Sequence, residues 1–315
     1  MNKKVVILGG GTGMSTLLRG LKKFPLDITA IVSVCDDGRS TGRLREEFKT
    51  PAVGDIRRVL VALSETEPLV EKLLNYRFNT NSDLNGHTVG NLLLTASANI
   101  SGNMSDGIEA IGKVLNLKGK VLPLTEEDNI TLIGVMEDGN KVEGEHNITA
   151  DKRAIIDVFY KEKPIVTPEA IHAIREADLI ILSMGSVFTS IIPNLICDEI
   201  KEELEKSSTK IMYVCNMMTQ PGETDNFSAS QHINLLNKYL GTRHIDVVVI
   251  NNGCISDELK KKYETLEQKD PVIFDKENIE EMGVEIIDSD FVIVEDEMIR
   301  HNVIKLASYI FSYLI

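Results

Sequence analysis

The chain opens with a short apolar segment that runs directly into a glycine-rich turn, and no other feature constrains the fold as strongly. Residues 4–8 carry Val, Ile and Leu, and Gly9-Gly10-Gly11-Thr12-Gly13 follows them. The stretch Met14–Lys22 predicts a helix that ends before Pro25. A second β-branched run at Ile28–Val34 repeats the order of strand and helix, which is typical of a parallel sheet covered by helices.

The same alternation returns in the second half of the chain. Apolar runs at Asp178–Ser183, Ile211–Cys215 and Asp246–Ile250 predict three further strands, each followed by small or polar residues. In open α/β sheets, ligands bind at the carboxyl ends of the strands. The pattern predicts a Rossmann-like, doubly wound, mainly parallel sheet in one α/β domain that spans residues 1–315.

The segment from about 121 to 150 breaks this alternation. Asp138-Gly139 lies between two extended runs, and an Asp-Gly pair in that setting is a hairpin signal. We therefore predict a small β insertion on the main sheet.

Polar segments near the amino terminus set the expected starts of two helices. Asp36–Gly42 is rich in Asp and Gly, which predicts a loop with a helical turn only at Leu44–Phe48. Asp55 is expected to cap a helix over residues 56–63.

Charge and composition exclude some classes of function. The net charge of −14 argues against a general nucleic-acid-binding protein, which needs a large basic face. This net charge still leaves room for a local basic pocket. The candidates for such a pocket lie near one another in the sequence and are Arg39, Arg43, Arg45, Arg57 and Arg58. No apolar stretch approaches the roughly 20 residues of a membrane span, and no signal peptide is visible. The four cysteines lack metal-like spacing, which favours reduced thiols and a cytoplasmic location.

The glycine turn is the strongest candidate for a phosphate site. Glycines after a strand let backbone N–H groups approach a phosphate, and the N-terminus of the following helix favours an anion. Met14 stands where the strict dinucleotide pattern requires glycine, and the Lys-Ser/Thr ending of a P-loop is missing. The alternative is a tight strand-to-helix turn without a ligand.

Other polar motifs add candidate groups. Asp36 and Asp37 are placed to accept from a ribose hydroxyl or to hold Mg²⁺ through water, or they belong to a simple turn. Arg57 and Arg58 are either phosphate ligands or solvated surface. His87 is either an acid–base group or a packed residue.

Six motifs together resemble one family over essentially the whole chain. The motifs, in order, are Gly9–Gly13 with Leu17-Leu18-x-Gly20-Leu21, Asp36–Arg45, Gly54–Arg58, His87-x-x-Gly90-Asn91-Leu92-Leu93, Gly185-Ser186-x-x-Thr189-Ser190-x-x-Pro193-Asn194-Leu195, and Asn216-x-Met218-Thr219-Gln220-Pro221-Gly222-Glu223-Thr224. This set resembles the gluconeogenesis factors of the YvcK type, in the superfamily that they share with the phospholactate transferase CofD. One departure is Arg39, where the family has glycine, and Thr41 stands where the family has serine.

The resemblance implies a Rossmann-like core that binds a UDP-sugar such as UDP-N-acetylglucosamine. It also implies a regulatory role in cell shape and wall synthesis during growth on gluconeogenic carbon, without turnover and without catalytic residues. The residues expected to bind the nucleotide are Gly10, Gly11, Thr12, Gly13, Asp36, Asp37, Ser40, Thr41, Asp55, Arg57, Arg58, His87, Asn91, Gly185, Ser186, Thr189, Asn216, Met218 and Thr219.

Two other functions are alternatives. One is a transferase like CofD, which joins a phospholactyl group to a deazaflavin with Mg²⁺ held by Asp36 and Asp37. The weaker one is an NAD-dependent dehydrogenase. The expected partner is the nucleotide-sugar ligand, with neither nucleic acid nor a membrane. The apolar segment Val303–Ile315 predicts a helix that either packs internally or forms a homodimer.

Overall fold

A parallel sheet of seven strands organises the chain, of which the computed structural model describes residues 2–295 and 298–315. In chain order the strands are β1 (Lys3–Gly9), β2 (Leu26–Val32), β3 (Lys120–Pro123), β4 (Leu132–Met136), β5 (Lys141–Glu143), β6 (Ile155–Tyr160), β7 (Leu179–Leu182), β8 (Ile211–Val214), β9 (Val247–Asn251), β10 (Glu285–Ser289), β11 (Val292–Glu295) and β12 (Met298–His301).

Helices precede and follow these strands, and one short segment, Val187–Ile191, is π-helical. The helices are α1 (Gly11–Leu21), α2 (Arg39–Phe48), α3 (Val53–Leu63), α4 (Pro68–Asn75), α5 (Val89–Ser101), α6 (Met104–Val114), α7 (Glu145–Ala150), α8 (Pro168–Arg175), α9 (Ile192–Leu195), α10 (Asp198–Lys206), α11 (Ala229–Tyr239), α12 (Asp257–Glu267), α13 (Lys276–Glu281) and α14 (Val303–Leu314).

The strand order places the point of reversal next to the glycine turn. The order is β10-β9-β8-β7-β1-β2-β3, and every neighbouring pair is parallel. From β1 the chain moves outward to β2 and β3, and after β6 it returns to β7 on the other side of β1. Connections therefore leave β1 and β7 toward opposite edges, which opens a crevice at their carboxyl ends. The predicted doubly wound α/β fold is confirmed.

Apolar residues on both faces of the sheet explain why the strands read as continuous hydrophobic runs. Along β1, Val5 and Ile7 belong to one buried cluster, whereas Val6 and Leu8 belong to the other. Helices α1, α3 and α14 contribute to the first cluster, and α8, α10 and α11 contribute to the second. All four β1 side chains are at most 2% exposed. Strand β1, which leads directly into the glycine turn, is therefore buried on both faces.

Two small antiparallel sheets lie outside the main sheet. The predicted hairpin at Asp138-Gly139 is confirmed, because β4 pairs with β5, and β6 adds a third strand to it. The range 121–150 does not coincide with this sheet: residues 121–123 lie in the main sheet as part of β3, and β6 extends to Tyr160. The other small sheet is the hairpin of β11 and β12.

Three helices begin earlier in the sequence than their composition predicts. Helix α1 begins at Gly11 rather than Met14, and α2 begins at Arg39 rather than Leu44. Helix α3 begins at Val53 with Ala52 at the N-cap position, so the prediction that Asp55 caps this helix is wrong. The Asp55 side chain instead accepts from the backbone N–H of Gly11 in α1 and from Arg58 Nη1.

The C-terminal helix α14 packs on α1. An added Cβ at Gly20 would lie 2.9 Å from the carbonyl carbon of Val303, so the two backbones approach closely there. The rings of Phe24 and Phe311 lie 5.3 Å apart. This agrees with the internal packing expected as one alternative for this segment. Among residues 2–295 and 298–315, no helix is long and apolar enough to cross a membrane.

Candidate functional site

The turn after β1 and the loop after β7 are in direct contact at the point of reversal. A Cβ added at Gly13 would overlap the carbonyl oxygen of Met184 and lie 2.9 Å from the Cα of Gly185. The side chain of Asn194 also reaches this point, since its Nδ2 donates to the carbonyl of Gly9 at 3.4 Å. The glycine at position 13 is therefore required by a close approach between two backbones.

Helix α3 forms a third wall of the same crevice through Asp55 and Arg58. A Cβ added at Gly10 would lie 2.7 Å from Asp55 Oδ2, and the backbone N–H of Gly11 donates to the same carboxylate. Arg58 donates from its Nη1 to Asp55 Oδ1. The N-terminal end of α1, which attracts anions, thus faces a carboxylate of its own chain that is paired with one arginine.

Two more carboxylates approach this pair. Burial raises the pKa of Asp55 to about 6, and the negative charge of Asp36 adds to this, whereas Arg58 opposes it. Burial also raises the pKa of Glu145 well above its ordinary value, with Asp55 and Asp36 as the next causes. Glu145 comes from α7 in the β insertion, and sequence analysis missed it because nothing in its neighbourhood in the sequence distinguishes it.

The two adjacent aspartates do not converge on one point. Asp36 accepts from the backbone N–H of Gly38 at 2.9 Å and from Thr41 Oγ1 at 2.9 Å. Asp37 instead accepts from the backbone N–H of His146 at 2.8 Å, so it fastens the β insertion to the loop after β2. The pair that lies together is Asp36 and Asp55. In the described part of the chain, no three His, Cys, Asp or Glu side chains are arranged to hold a metal ion.

The titration of Asp55 gives a testable dependence of stability on pH. Because its pKa in the folded chain lies above its ordinary value of 3.8, the folded state binds this proton more tightly than the unfolded state. The contribution of Asp55 to stability is therefore largest at low pH and falls as the pH rises through about 6. Between about pH 4.5 and about pH 7, the wild-type chain should lose roughly 1–3 kcal/mol relative to Asp55→Asn, measured by urea denaturation with a chelator present. If the stabilities of the two chains changed with pH in parallel, the raised pKa of Asp55 would be contradicted.

Ser40, His87 and Asn91 form a buried cluster beside α2. Ser40 Oγ lies 2.9 Å from His87 Nδ1, and Asn91 Nδ2 donates to Ser40 Oγ at 3.2 Å. Burial lowers the pKa of His87, and the positive charge of Arg43 adds to this. Asn91 Oδ1 is buried without a hydrogen-bond partner. These three predicted residues are brought together, with the Ser40 hydroxyl between the other two side chains.

The arginines that lie close in sequence diverge in space. Arg57 donates to Asn75 Oδ1 at 2.5 Å and packs its stem against Gly90, so its hydrogen bond goes to Asn75 and not to Asp55. Arg45 donates to the backbone carbonyls of Asp128 and Ile130. Arg43 donates to the carbonyl of Asn85, and Arg39 is exposed. The five arginines therefore lie in different surroundings, and among the described residues Arg58 is the one that pairs with the carboxylate at the glycine turn.

The loops after β7 and β8 are joined by side chains. Asn216 accepts from the N–H of Gly185 at 2.9 Å and donates to its carbonyl at 2.7 Å. Thr189 Oγ1 donates to Ser186 Oγ at 2.7 Å, and Ser186 Oγ donates to the carboxylate of Glu223. The two hydroxyls predicted to donate to an anion are therefore engaged with each other and with Glu223.

The remaining predicted residues, Met218 and Thr219, serve the packing of a loop. Met218 forms a bridge with Pro271, and Thr219 exchanges two hydrogen bonds with the backbone of Asp270. Thr219 is only 1% exposed.

Two cavities lie at opposite ends of the sheet. A cavity of about 280 Å³ lies at the carboxyl ends of β8 and β9, and Asn216, Met217 and Gly253 contribute to its lining. A larger one of about 1050 Å³ lies at the amino ends of β1, β2 and β3, where Lys4 and Lys120 line it. None of the predicted site residues lines the larger cavity. Only the smaller cavity shares the edge of the sheet with the glycine turn.

Comparison with known proteins agrees with the motifs at this edge. The family model described as 2-phospho-L-lactate transferase CofD matches residues 5–292. The chain belongs to the CofD family. A protein of Bacillus subtilis (strain 168) named gluconeogenesis factor is 49% identical over 312 residues, which cover 99% of this chain and 98% of that protein. A gluconeogenesis factor of Listeria monocytogenes is 39% identical over 312 residues, which cover 99% and 95% of the two chains. Within the CofD family, the chain groups with these gluconeogenesis factors.

A crystal structure of a Bacillus halodurans protein has the same fold. Its TM-score to this chain is 0.94 at 45% sequence identity, and the match covers 99% of this chain and 100% of that one. The arrangement of the strands is thus shared with that relative.

Proposed function

We propose that this gluconeogenesis factor binds a UDP-sugar, such as UDP-N-acetylglucosamine, in the crevice between the ends of β1 and β7. The observation that carries the proposal is the contact between the two loops at the point of reversal, where Gly13 packs against Met184 and Gly185. Ligands of doubly wound sheets bind at this point.

The diphosphate is assigned to the turn at Gly10–Gly13. Helix α1 begins at Gly11, so its N-terminal N–H groups and its dipole favour a phosphate there. Arg58 lies beside this turn, since its Nη1 is 3.9 Å from the position that a Cβ of Gly11 would take. A phosphate at the turn would share the guanidinium with Asp55, and a forked guanidinium can contact both.

The uridine is assigned to the neighbouring cavity at the ends of β8 and β9. This cavity of about 280 Å³ lies on the same edge of the sheet as the glycine turn. Asn216 lines it and also binds Gly185, so one residue connects the proposed base site with the proposed phosphate site.

The names of two relatives support a role in gluconeogenic growth. Proteins 49% and 39% identical to this chain carry the name gluconeogenesis factor. We assign to this chain a regulatory role, without turnover, in cell shape and wall synthesis during growth on gluconeogenic carbon. A strain that lacks the gene should regain normal shape on such carbon with the wild-type chain and not with Arg58→Ala.

Calorimetry tests the ligand directly. Titration of the purified chain with UDP-N-acetylglucosamine should give saturable binding, and the nucleotide should be recovered unchanged. NAD, GDP and a deazaflavin serve as comparators and should bind at least ten-fold more weakly, a difference of about 1.4 kcal/mol. Equal binding of NAD, or no binding of the UDP-sugar, would contradict the proposal.

A CofD-like transferase is the second candidate, and the pairing of Asp36 with Asp55 favours it. Mg²⁺ takes one or two protein carboxylates together with waters and substrate phosphates, so the two side chains suit such an ion in the presence of a nucleotide. Bound Mg²⁺ would polarise a phosphoanhydride. Consumption of a phospholactyl nucleotide with a deazaflavin acceptor, dependent on Mg²⁺, would establish this function, and its absence would exclude it.

A further inference from the structure

The loop after β8 holds the loop after β7 at two separate points. The first point is Gly185, whose backbone N–H and carbonyl both bind the amide of Asn216. Gly185 has a φ of +146°, a conformation that side chains rarely adopt. The reciprocal pair of hydrogen bonds fixes this residue from outside its own loop.

The second point is Ser186, which binds the carboxylate of Glu223. Ser186 Oγ lies 2.8 and 2.7 Å from the two carboxylate oxygens, and the backbone N–H of Phe188 donates to Oε2 at 3.3 Å. Ser186 Oγ in turn accepts from the N–H and the hydroxyl of Thr189, at 2.9 and 2.7 Å. Hydrogen bonds therefore connect Thr189 to Ser186 and Ser186 to the carboxylate of Glu223.

Glu223 carries a buried carboxyl group whose side-chain hydrogen bonds, among the described residues, all come from this loop. Its side chain lies in a residue only 7% exposed, and among the described residues no ion pair joins it to Lys, Arg or His. Burial raises its pKa, and the hydrogen bonds from Ser186 and from the N–H groups of Phe188 and Val187 oppose that rise. A carboxylate is costly to bury, so its presence under a loop with these donors indicates that it organises the loop.

We propose that Glu223 is a positioning residue that holds Gly185 and Ser186 against the glycine turn and thereby sets the affinity for the diphosphate of the ligand. The inference rests on the proposed function, because it concerns the same crevice. Glu223 has no direct contact with the ligand in this account. It acts through Ser186, and Asn216 acts in parallel through Gly185.

Calorimetry with UDP and with uridine tests this role in the full-length chain. Glu223→Ala should weaken UDP binding at least ten-fold and change uridine binding less than two-fold, since uridine lacks the phosphates that the loop faces. Glu223→Gln should stay within about three-fold of wild type for UDP, because its amide oxygen still accepts from Phe188 N–H and Ser186 can reorient. Glu199→Ala, which removes an exposed carboxylate on α10, is the matched control and should leave both affinities unchanged.

Amide hydrogen exchange supplies a readout that does not depend on the ligand. The N–H groups of Phe188 and Thr189 should exchange at least ten-fold faster in Glu223→Ala and at the wild-type rate in Glu223→Gln. Equal losses of UDP and uridine affinity, or wild-type UDP affinity with fast exchange, would overturn the positioning role. If the wild-type chain binds neither UDP nor uridine, the proposed function fails. Unchanged amide exchange in Glu223→Ala would separately show that Glu223 does not stabilise the loop after β7.

Discussion

Gly13→Ala should destabilise the chain by about 3 kcal/mol or more and abolish UDP-sugar binding. The added Cβ would overlap the carbonyl oxygen of Met184 and lie 2.6 Å from its carbonyl carbon. Both atoms belong to the backbone at the end of the buried strand β7, so neither can rotate away. Overpacking of this kind typically costs 1–3 kcal/mol, and more where the backbone must move. Urea denaturation and calorimetry with UDP-N-acetylglucosamine measure the two effects.

Gly112→Ala is the matched control, because Gly112 also lies inside a helix. A Cβ there would lie 3.0 Å from Cδ1 of Leu117, the far end of a flexible side chain that can shift. Alanine is favoured over glycine in a helix interior by about 1 kcal/mol, so this variant should be neutral or slightly more stable. Equal stability of the two variants would show that the loops after β1 and β7 do not touch as described.

Arg58→Ala should weaken UDP-sugar binding by about 10- to 100-fold. Hydrogen bonds to charged groups contribute about 1.5–3 kcal/mol, and Arg58 is the arginine paired with Asp55 at the glycine turn. Its removal also takes the positive charge of Arg58 away from the carboxyl groups of Asp55 and Glu145, which makes the turn less favourable for a phosphate. Calorimetry at low and at moderate salt measures the effect, which should shrink as salt screens the charges.

Two other arginines serve as controls for this result. Arg19→Ala removes the same charge from the far end of α1, where Arg19 pairs with Glu71 on the surface, and should leave affinity unchanged. Arg57→Ala should instead lower stability, because Arg57 is buried and bonded to Asn75. A loss of affinity in Arg57→Ala with unchanged stability would contradict the separation of the two arginines.

The strands could be predicted from the sequence, whereas several helix starts could not. β1, β7, β8 and β9 are buried on both faces, so each contains a continuous apolar run, and small or polar residues follow it. Helix α2 starts within a segment rich in Asp, Gly and Ser, whose local preference is a turn. Asp36 accepts from Gly38 and Thr41 at this start, and the same Asp-Gly pattern is equally compatible with a loop.

Part of the candidate site could likewise be predicted from the sequence, and part could not. The glycine turn was predictable because a strand, a run of glycines and a helix are adjacent in sequence. The grouping of Asp36 with Asp55 and Glu145, and the separation of Arg57 from Arg58, depend on how α3 and the β insertion pack. Glu223 lies in one of the motifs, and only the structure shows that its carboxylate binds Ser186.

The most direct test of the proposed site is a backbone NMR titration of the ¹⁵N-glycine-labelled chain with UDP-N-acetylglucosamine. We expect the largest chemical-shift changes at Gly10, Gly11, Gly13 and Gly185, and a smaller change at Gly253 in the neighbouring cavity. Gly112 and Gly119 line the larger cavity at the other end of the sheet and should not move. Chemical-shift changes confined to Gly112 and Gly119 would place the ligand at the opposite end of the sheet and contradict the proposed site at the glycine turn.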